Sequence, residues 1–258
     1  MRLRITCMEC FRVDGKPSEE AASVEMRDDG LYTVACSRGH TSITAIQQQK
    51  FEILFDLGAM ALLDGYPREA VSSIASSLER FYEYYIQVIC LQHGIAHESF
   101  LEAWKSLSRQ SERQLGAFLF LYLLENKKPL NPLILDAKPK SESGPPGITW
   151  TEFRNNVIHK GYLPSSEEVI VYGNLVYQFI YRLISELRVA NSDSMGKATF
   201  HHLKKGIDAK SQTPMATMSI PTLISLVRAE APPQTFREAL KGLEKYKRWL
   251  YHHDTQPN

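Results

Sequence analysis

The chain has 258 residues, of which 43% are hydrophobic and 23% charged, enough to bury the core of one large domain or two modest ones. Every apolar run is shorter than the roughly 18 residues that a membrane-spanning helix needs, and the N-terminus lacks the apolar segment of a signal peptide, so we expect a cytoplasmic protein without a membrane part. The formal net charge of +1 excludes a global field that would drive the molecule onto nucleic acid, so RNA binding would need a local basic patch.

The first region, residues 1–44, combines short strands with cysteines. Leu3 and Ile5 alternate with arginines, and the run Leu31–Ala35 is rich in β-forming residues. Asp28-Asp29-Gly30 carries the composition of a turn between strands. We predict that the two strands form a small β-ribbon.

Two pairs of potential metal ligands accompany this ribbon. Cys7-Met-Glu-Cys10 is a C-x2-C pair, and Cys36-Ser-Arg-Gly-His40 is a C-x3-H pair one hairpin later. Three thiolates and one imidazole suit tetrahedral zinc and fill its coordination sphere, which makes the site structural. The predicted zinc ligands are Cys7, Cys10, Cys36 and His40. Alternatively, the cysteines are ordinary buried thiols and the histidine is a surface residue.

The second region, residues 45–190, is predicted to be a helical bundle, because apolar residues recur there every three or four positions. The predicted helices run from Phe51 to Asp64, from Pro67 to Gly94, from Phe100 to Leu119 and from Val169 to Leu187. Cys90 lies within the second of them and is interpreted as a core thiol. Residues 126–147 contain five prolines and four lysines, which predicts an exposed basic loop.

The third region, residues 191–258, is predicted to be short and mixed or helical. Asn191–Gly196 has the composition of a linker. Phe236–Leu250 places leucines and a tyrosine on one side and lysines and arginines on the other, which predicts a basic amphipathic helix. Such a helix docks on its own domain more often than it reads nucleic acid, and both interpretations stay open.

One further helix, Trp150–Lys160, is delimited by its end signals. Thr149 and Glu152 have the spacing of a capping box, and Gly161 follows the last turn. On a helical wheel, the apolar residues fall on one side while Asn155 and His159 lie together on the opposite side. The long side chain of Arg154 can bend round the helix to join them.

Arg154, Asn155 and His159 together suit cleavage of a phosphodiester without a metal. An imidazole near its ordinary pKa can move protons to and from a ribose 2′-hydroxyl and a leaving oxygen. A guanidinium matches the negative charge that develops on the phosphate, and an amide can orient the phosphate or the histidine.

The segment Arg154-Asn-Asn-Val-Ile-His159 resembles the R-x4-6-H motif of HEPN domains (higher eukaryotes and prokaryotes nucleotide-binding), including the polar residue after the arginine. The helices around it, over roughly residues 45–190, are similar in order as well. The resemblance implies a HEPN-like helical bundle that acts as a metal-independent endoribonuclease on RNA and leaves cyclic phosphate ends. It further implies a homodimer whose two motifs face each other, and a toxin or antiphage role with a protein partner such as an antitoxin or defence component. A polar residue on the long helix sometimes assists in such domains, and we take Glu79 as the candidate.

Two other functions are compatible with the sequence. The chain can be a noncatalytic interaction or nucleic-acid-binding module, such as an adaptor or antitoxin-like subunit, in which Arg154, Asn155 and His159 are an ordinary solvated helix face. A zinc hydrolase is disfavoured, because the four predicted ligands leave no open position on the metal.

Overall fold

The computed structural model describes residues 2–16, 21–130, 147–205, 213–227 and 235–254, with side chains in the last range as far as Lys245. The described residues form nine helices and five strands. In chain order these are β1 Arg2–Thr6, α1 Met8–Asp14, β2 Ala21–Glu25, β3 Leu31–Ala35, β4 Thr41–Ile46, α2 Lys50–Leu63, α3 Pro67–Gln92, α4 His97–Leu107, α5 Ser111–Asn126, α6 Trp150–Lys160, α7 Ser166–Ala190, α8 Ser192–Lys204, β5 Met215–Met218 and α9 Phe236–Asp254. The prediction of a mainly helical fold with a small N-terminal β part is confirmed. Within the described residues, no helix combines the length and the apolar character needed to cross a membrane.

The chain divides into two compact units, and each is built from two separate stretches of sequence. The first unit comprises Met1–Gln49 and Gly196–Pro221, and the second comprises Lys50–Met195 and Thr222–Asn258. The residues that the sequence assigned to a separate third region are therefore shared between the two units.

The first unit contains two small sheets. Strands β1 and β2 pair in antiparallel fashion, with Leu3 opposite Val24. Strand β4 is the middle strand of the second sheet, antiparallel to β3 and parallel to β5. The strand alternation is confirmed, since Leu3 and Ile5 are buried while the arginines between them are exposed. The predicted single ribbon is wrong, because β1 and β3 each pair with a strand that the sequence did not reveal.

The second unit is helical and is organised around α3. This helix contacts α2, α4, α5, α6 and α7, and its apolar side supplies much of the core. Aromatic rings dominate the packing, as where Phe55 meets Tyr177 and Phe236 at ring-centroid distances of 5.8 and 5.2 Å. Through Phe236, helix α9 packs against this core, in agreement with a docked amphipathic helix.

Two predicted segments differ from the structure. The predicted third helix is two helices, α4 and α5, which separate at residues 108–110. The break is stabilised because the side-chain amide of Gln114 donates to the carbonyl oxygen of Ser108 at 2.9 Å, which satisfies a group at the end of α4. The predicted linker Asn191–Gly196 is also wrong. Asn191 is the C-cap residue of α7, and helix α8 begins at the next residue.

The predicted basic loop falls mostly outside the described residues. Helix α5 continues to Asn126, and Lys127 takes a left-handed conformation with φ of 55°, which ends the helix. Residues 131–146, with four of the loop's five prolines and two of its four lysines, lie outside the described residues.

Candidate functional site

Helix α6 carries three of the four predicted catalytic residues, and its ends are fixed as its sequence predicts. The Thr149 hydroxyl accepts a hydrogen bond from the Glu152 backbone N–H at 3.1 Å, and the Glu152 carboxylate accepts one from the Thr149 backbone N–H at 2.7 Å. Gly161 follows the helix with φ of 72°. Because both ends are capped and Phe153 and Val157 are fully buried, the register of α6 is well defined.

Arg154 links α6 to α3. Its guanidinium donates one hydrogen bond to Oδ1 of Asn155 at 2.8 Å and another to the Glu79 carboxylate. The side chains of Arg154 and Glu79 are only 19% and 24% exposed, so the ion pair is partly shielded from water. Three of the four predicted catalytic residues therefore form one contiguous polar network.

A cavity of about 100 Å³ lies beside this network in the second unit. Its residues come from four helices and combine apolar and aromatic walls with a polar rim. They are Ala75, Leu78, Glu79, Tyr82, Ser111, Glu112, Leu115, Trp150, Thr151, Arg154, Asn155 and Tyr172. The cavity therefore combines apolar walls with polar groups, and its volume is below the roughly 300–1,000 Å³ of ligand pockets in general.

Tyr172 brings a phenol to this cavity from α7. Burial raises the pKa of Tyr172, an effect that the positive charge of Arg154 opposes and the negative charge of Glu79 strengthens. The hydroxyl therefore stays protonated at neutral pH and can donate a hydrogen bond.

His159 is the predicted catalytic residue that does not contact Arg154, Asn155 or Glu79. It follows Asn155 by one helical turn, is exposed, and does not line the cavity. Within the described part of the chain, its imidazole makes no hydrogen bond or ion pair. The structure thus brings together three of the predicted residues, Arg154, Asn155 and Glu79, but it does not bring His159 to the same network.

The sequence did not reveal the aromatic wall of the cavity. Tyr82, Trp150 and Tyr172 occupy positions in apolar repeats, where large aromatic residues are usually core. The periodicity of each helix shows which residues face inward. It does not show where the packing of four helices leaves space.

In the first unit, the four predicted metal ligands lie together. Their ligand atoms are all within 4.8 Å of one another, and the cluster can bind a metal ion. The Cys10 Sγ lies 3.8 Å from the Cys36 Sγ and 3.3 Å from the His40 Nδ1. Four ligands about 2.0–2.3 Å from a tetrahedral zinc ion are separated by roughly 3.3–3.8 Å, and the two distances from the Cys10 Sγ match this separation.

The elements that carry the cluster differ from the predicted ribbon. Cys7 immediately precedes α1 and Cys10 lies in its first turn, so the first ligand pair belongs to a helix end. The second pair is a tight turn in which the Cys36 backbone N–H donates to the carbonyl oxygen of His40 at 3.1 Å. Gly39 takes φ of 81° in this turn, as expected of a glycine there.

The pKa values of Cys10 and Cys36 are shifted. Burial, together with the neighbouring thiols of Cys36 and Cys7, raises the pKa of Cys10 to about 11. Burial also opposes ionisation of Cys36, but hydrogen bonds from the backbone N–H groups of His40 and Arg38 outweigh it and lower the pKa of that thiol. Because metal binding requires thiolates, a bound ion would displace the proton of Cys10.

Comparisons of the chain with models of known protein families, with curated proteins and with solved structures gave no match. Within the described residues, two side-chain groups bear on the function of the chain. One is the network of Arg154, Asn155 and Glu79 with its cavity, and the other is the cysteine and histidine cluster.

Proposed function

We propose that the second unit is a HEPN-like, metal-independent endoribonuclease that cleaves RNA by attack of a ribose 2′-hydroxyl on the adjacent phosphate. The observation that carries this proposal is the guanidinium of Arg154, which is held by Glu79 and Asn155 at a cavity rim on the helix that also bears exposed His159. A fixed guanidinium matches the charge that develops on a phosphate under attack. An exposed imidazole can exchange protons with substrate.

Each residue has a defined role in this reaction. The 2′-oxygen forms a bond to phosphorus as its proton leaves to a base, the bond from phosphorus to the 5′-oxygen breaks, and a proton moves to that oxygen. The products are a 2′,3′-cyclic phosphate and a 5′-hydroxyl. We assign proton transfer to His159, stabilisation of phosphate charge to Arg154 and orientation of the phosphate to Asn155.

Glu79 is assigned as a positioning residue that acts through Arg154. In the single chain it neutralises the guanidinium, so an RNA phosphate must compete with this carboxylate for the arginine. Because a phosphate presents several oxygens to the five N–H donors of arginine, both anions can share the guanidinium.

A homodimer is part of the proposal. His159 is exposed and lies outside the cavity, which leaves it accessible to a second copy of the chain. The HEPN resemblance implies that two motifs face each other, and RNA would then bind between them. A toxin or antiphage role, with an antitoxin or defence component as partner, rests on the resemblance alone.

The test compares the purified chain with a His159→Ala variant on mixed RNA in the presence of a chelator. Loss of a general acid or base lowers a rate by about 100-fold or more, so we expect nearly complete loss of cleavage in the variant. The matched control is His93→Ala, since His93 is an exposed histidine paired with Glu125 and lies outside the cavity. Equal cleavage by the parent and His159→Ala would refute the proposal. Abolition of parent cleavage by the chelator would also refute it, provided that trypsin cleavage within 50–130 and 147–195 is unchanged, because the chelator also removes the proposed structural zinc of the first unit.

For the first unit, we propose that Cys7, Cys10, Cys36 and His40 bind a structural zinc ion. Four protein ligands leave no position for substrate, and the two small sheets bury little apolar surface, so the ion would supply folding free energy rather than catalysis.

A second candidate function is a noncatalytic interaction module, and an exposed apolar surface on α5 favours it. Phe120 and Leu124 are four positions apart and therefore lie on the same side of α5, where their side chains are 72% and 60% exposed. Exposed apolar surfaces of this kind often mark protein contacts. In that case the test above would yield no cleavage, and His159→Ala would bind RNA or a protein partner as well as the parent does.

A further inference from the structure

We infer that the exposed edge of strand β3, in the first unit, binds an extended peptide segment of a partner protein as an additional strand. The backbone of Leu31–Ala35 supplies the binding groups, and a groove beside it supplies the space. This binding is independent of the proposed ribonuclease, because none of the residues assigned to cleavage belongs to the first unit.

The direction of the backbone groups of β3 follows from the pairing of β4. Ile43 of β4 lies opposite Thr33, but the Ile43 backbone N–H donates to the carbonyl oxygen of Pro214, just before β5, at 2.9 Å. Thr33 therefore belongs to a pair without hydrogen bonds, and its N–H and C=O groups point away from β4. Because alternate residues of a strand point the same way, the backbone groups of Leu31 and Ala35 also point outward.

Most of these outward groups have no partner. The Leu31 N–H donates to Oδ1 of Asp29 at 3.1 Å. In the part of the chain that the structure describes, the backbone N–H and C=O groups of Thr33 and Ala35 make no hydrogen bond, and both residues are exposed. A row of unpaired groups that repeats every second residue is a template for another strand.

Strand β3 also lacks the features with which proteins block a sheet edge. It contains neither a charged residue nor a proline, both of which discourage pairing with another chain. By contrast, β1 at the edge of the other small sheet carries exposed Arg2 and Arg4. The edge of β3 is therefore the one of these two that accepts a further strand.

A groove of about 650 Å³ lies beside this edge. Its volume is within the roughly 300–1,000 Å³ of ligand sites, and Val24, Leu31 and Ile43 give it an apolar part. The Tyr32 hydroxyl accepts a hydrogen bond from the Arg27 backbone N–H at 2.9 Å, which fixes the chain between β2 and β3 at the side of the groove. The five residues of β3 span roughly 17 Å, so we expect about five residues of the peptide to pair.

The charges at the groove favour a peptide over RNA. The Glu25 carboxylate lies 3.7 Å from the Arg2 guanidinium, and the Asp29 carboxylate lies 2.8 Å from the Arg27 guanidinium. These four charges cancel, so the groove offers no net positive charge to a phosphate backbone. Unpaired N–H and C=O groups match an extended peptide, and the apolar part of the groove favours apolar side chains at alternate peptide positions.

The test selects random eight-residue peptides, displayed on phage, against the full chain, with counter-selection against Thr33→Pro. Proline removes the outward N–H but no hydrogen bond to β4, and an edge strand tolerates proline at such a position. Thr33→Ala is the matched control, because it shortens the side chain and keeps the N–H. We expect the selected peptides to bind Thr33→Pro about tenfold or more weakly than they bind the parent or Thr33→Ala.

Amide hydrogen exchange of the parent chain tests the same pairing without a variant. Saturation with a selected peptide should slow exchange of the Thr33 and Ala35 N–H groups by about tenfold or more, because both become hydrogen-bonded. The Tyr32 and Val34 N–H groups face β4 already and should change less. This alternation distinguishes an added strand from a peptide bound elsewhere.

Three results would overturn the inference. The first is a selection that enriches no sequence, and the second is binding that Thr33→Pro does not weaken and that leaves the Thr33 and Ala35 amides unprotected. The third is a different occupant of the edge: a parent dimer that becomes monomeric in Thr33→Pro would identify a second copy, and displacement of the peptide by mixed RNA would identify nucleic acid. None of these measurements involves RNA cleavage, so each outcome leaves the proposed ribonuclease to its own test.

Discussion

The arginine of the candidate site depends on a carboxylate from another helix, and this contact can be measured. We expect Glu79→Gln and Arg154→Met each to lower the free energy of unfolding by about 1–2 kcal/mol, because the pair is partly shielded and either change leaves a polar group without its partner. The double variant should lose little more free energy of unfolding than either single variant does. Urea unfolding of the four proteins gives the coupling energy, which we expect to be about 1 kcal/mol.

The exposed pair of Arg237 and Glu167 is the control for this cycle. Its side chains are 53% and 51% exposed, and pairs in water contribute about 0–1 kcal/mol, so its coupling should be the smaller of the two. If the two cycles gave the same coupling, the partial burial of the Arg154 pair would have no energetic effect.

For the candidate site, the sequence predicted the chemistry of each residue better than it predicted which residues contact one another. The pairing of Arg154 with Asn155 followed from adjacent positions on one helix. The contact of Arg154 with Glu79 joins residues 75 positions apart and depends on how α3 and α6 pack. The exposure of His159 followed from the helical wheel, but its separation from the cavity did not.

Gly58 of α2 packs closely against α3. A Cβ atom added to Gly58 would lie 2.7 Å from Ile74 Cγ1 and 3.0 Å from the carbonyl oxygen of Ala70, both shorter than normal contacts. Gly58→Ala should therefore lower the free energy of unfolding by about 1–3 kcal/mol, as expected of an overpacked core.

Gly116 of α5 provides a matched substitution with the opposite sign. A Cβ atom there meets no atom within 4 Å, and the residue lies inside a helix. Gly116→Ala should raise the free energy of unfolding by up to about 1 kcal/mol, because alanine loses less backbone freedom in a helix. Thermal unfolding of both variants measures these changes in stability. A less stable Gly116→Ala variant, or a Gly58→Ala variant as stable as the parent, would contradict the packing described for these helices.

Helix ends were predictable where local signals determine them. The capping box at Thr149 and the glycine at 161 delimit α6, and both signals lie within a few residues of the helix. The break between α4 and α5 escaped prediction because apolar residues recur on both sides of it, and its stabilising contact is a side chain of the next helix, Gln114. Helix α8 was missed because its first residues, Ser192–Ser194, are polar and resemble a loop.

In the whole molecule, the first unit joins two distant parts of the chain. Strand β5 follows β4 by almost 170 residues, yet Ile43 lies opposite Met215 in their parallel register. No sequence pattern near either strand indicates this pairing, since parallel strands carry no shared turn. The metal ligands were predictable despite this, because each pair is contiguous in sequence and their joint chemistry is specific.

Because the first unit is built from two separate stretches of sequence, we expect metal removal to affect both of them. Its sheets are small and its core contains Cys7 and Cys10, so if the cluster binds zinc as proposed, loss of the ion would remove a large part of the folding free energy of this unit. Chelation should therefore expose the described parts of both of its stretches, 1–49 and 196–221, to trypsin at the same time. The ranges 50–130 and 147–195 contain none of the four ligands, and their cleavage by trypsin should not change on chelation.

Substitutions distinguish this effect from a general one. Cys36→Ala should lose stoichiometric zinc and become trypsin-sensitive at residues such as Arg27 and Lys197 without chelator, whereas Cys90→Ala, which alters the cysteine outside the cluster, should keep both zinc and resistance. Mass spectrometry of the tryptic fragments and metal analysis of each variant give the result. Cleavage confined to 1–49 would mean that β5 does not pair stably with β4. Full zinc content in Cys36→Ala would mean that the proposed ligand set is wrong.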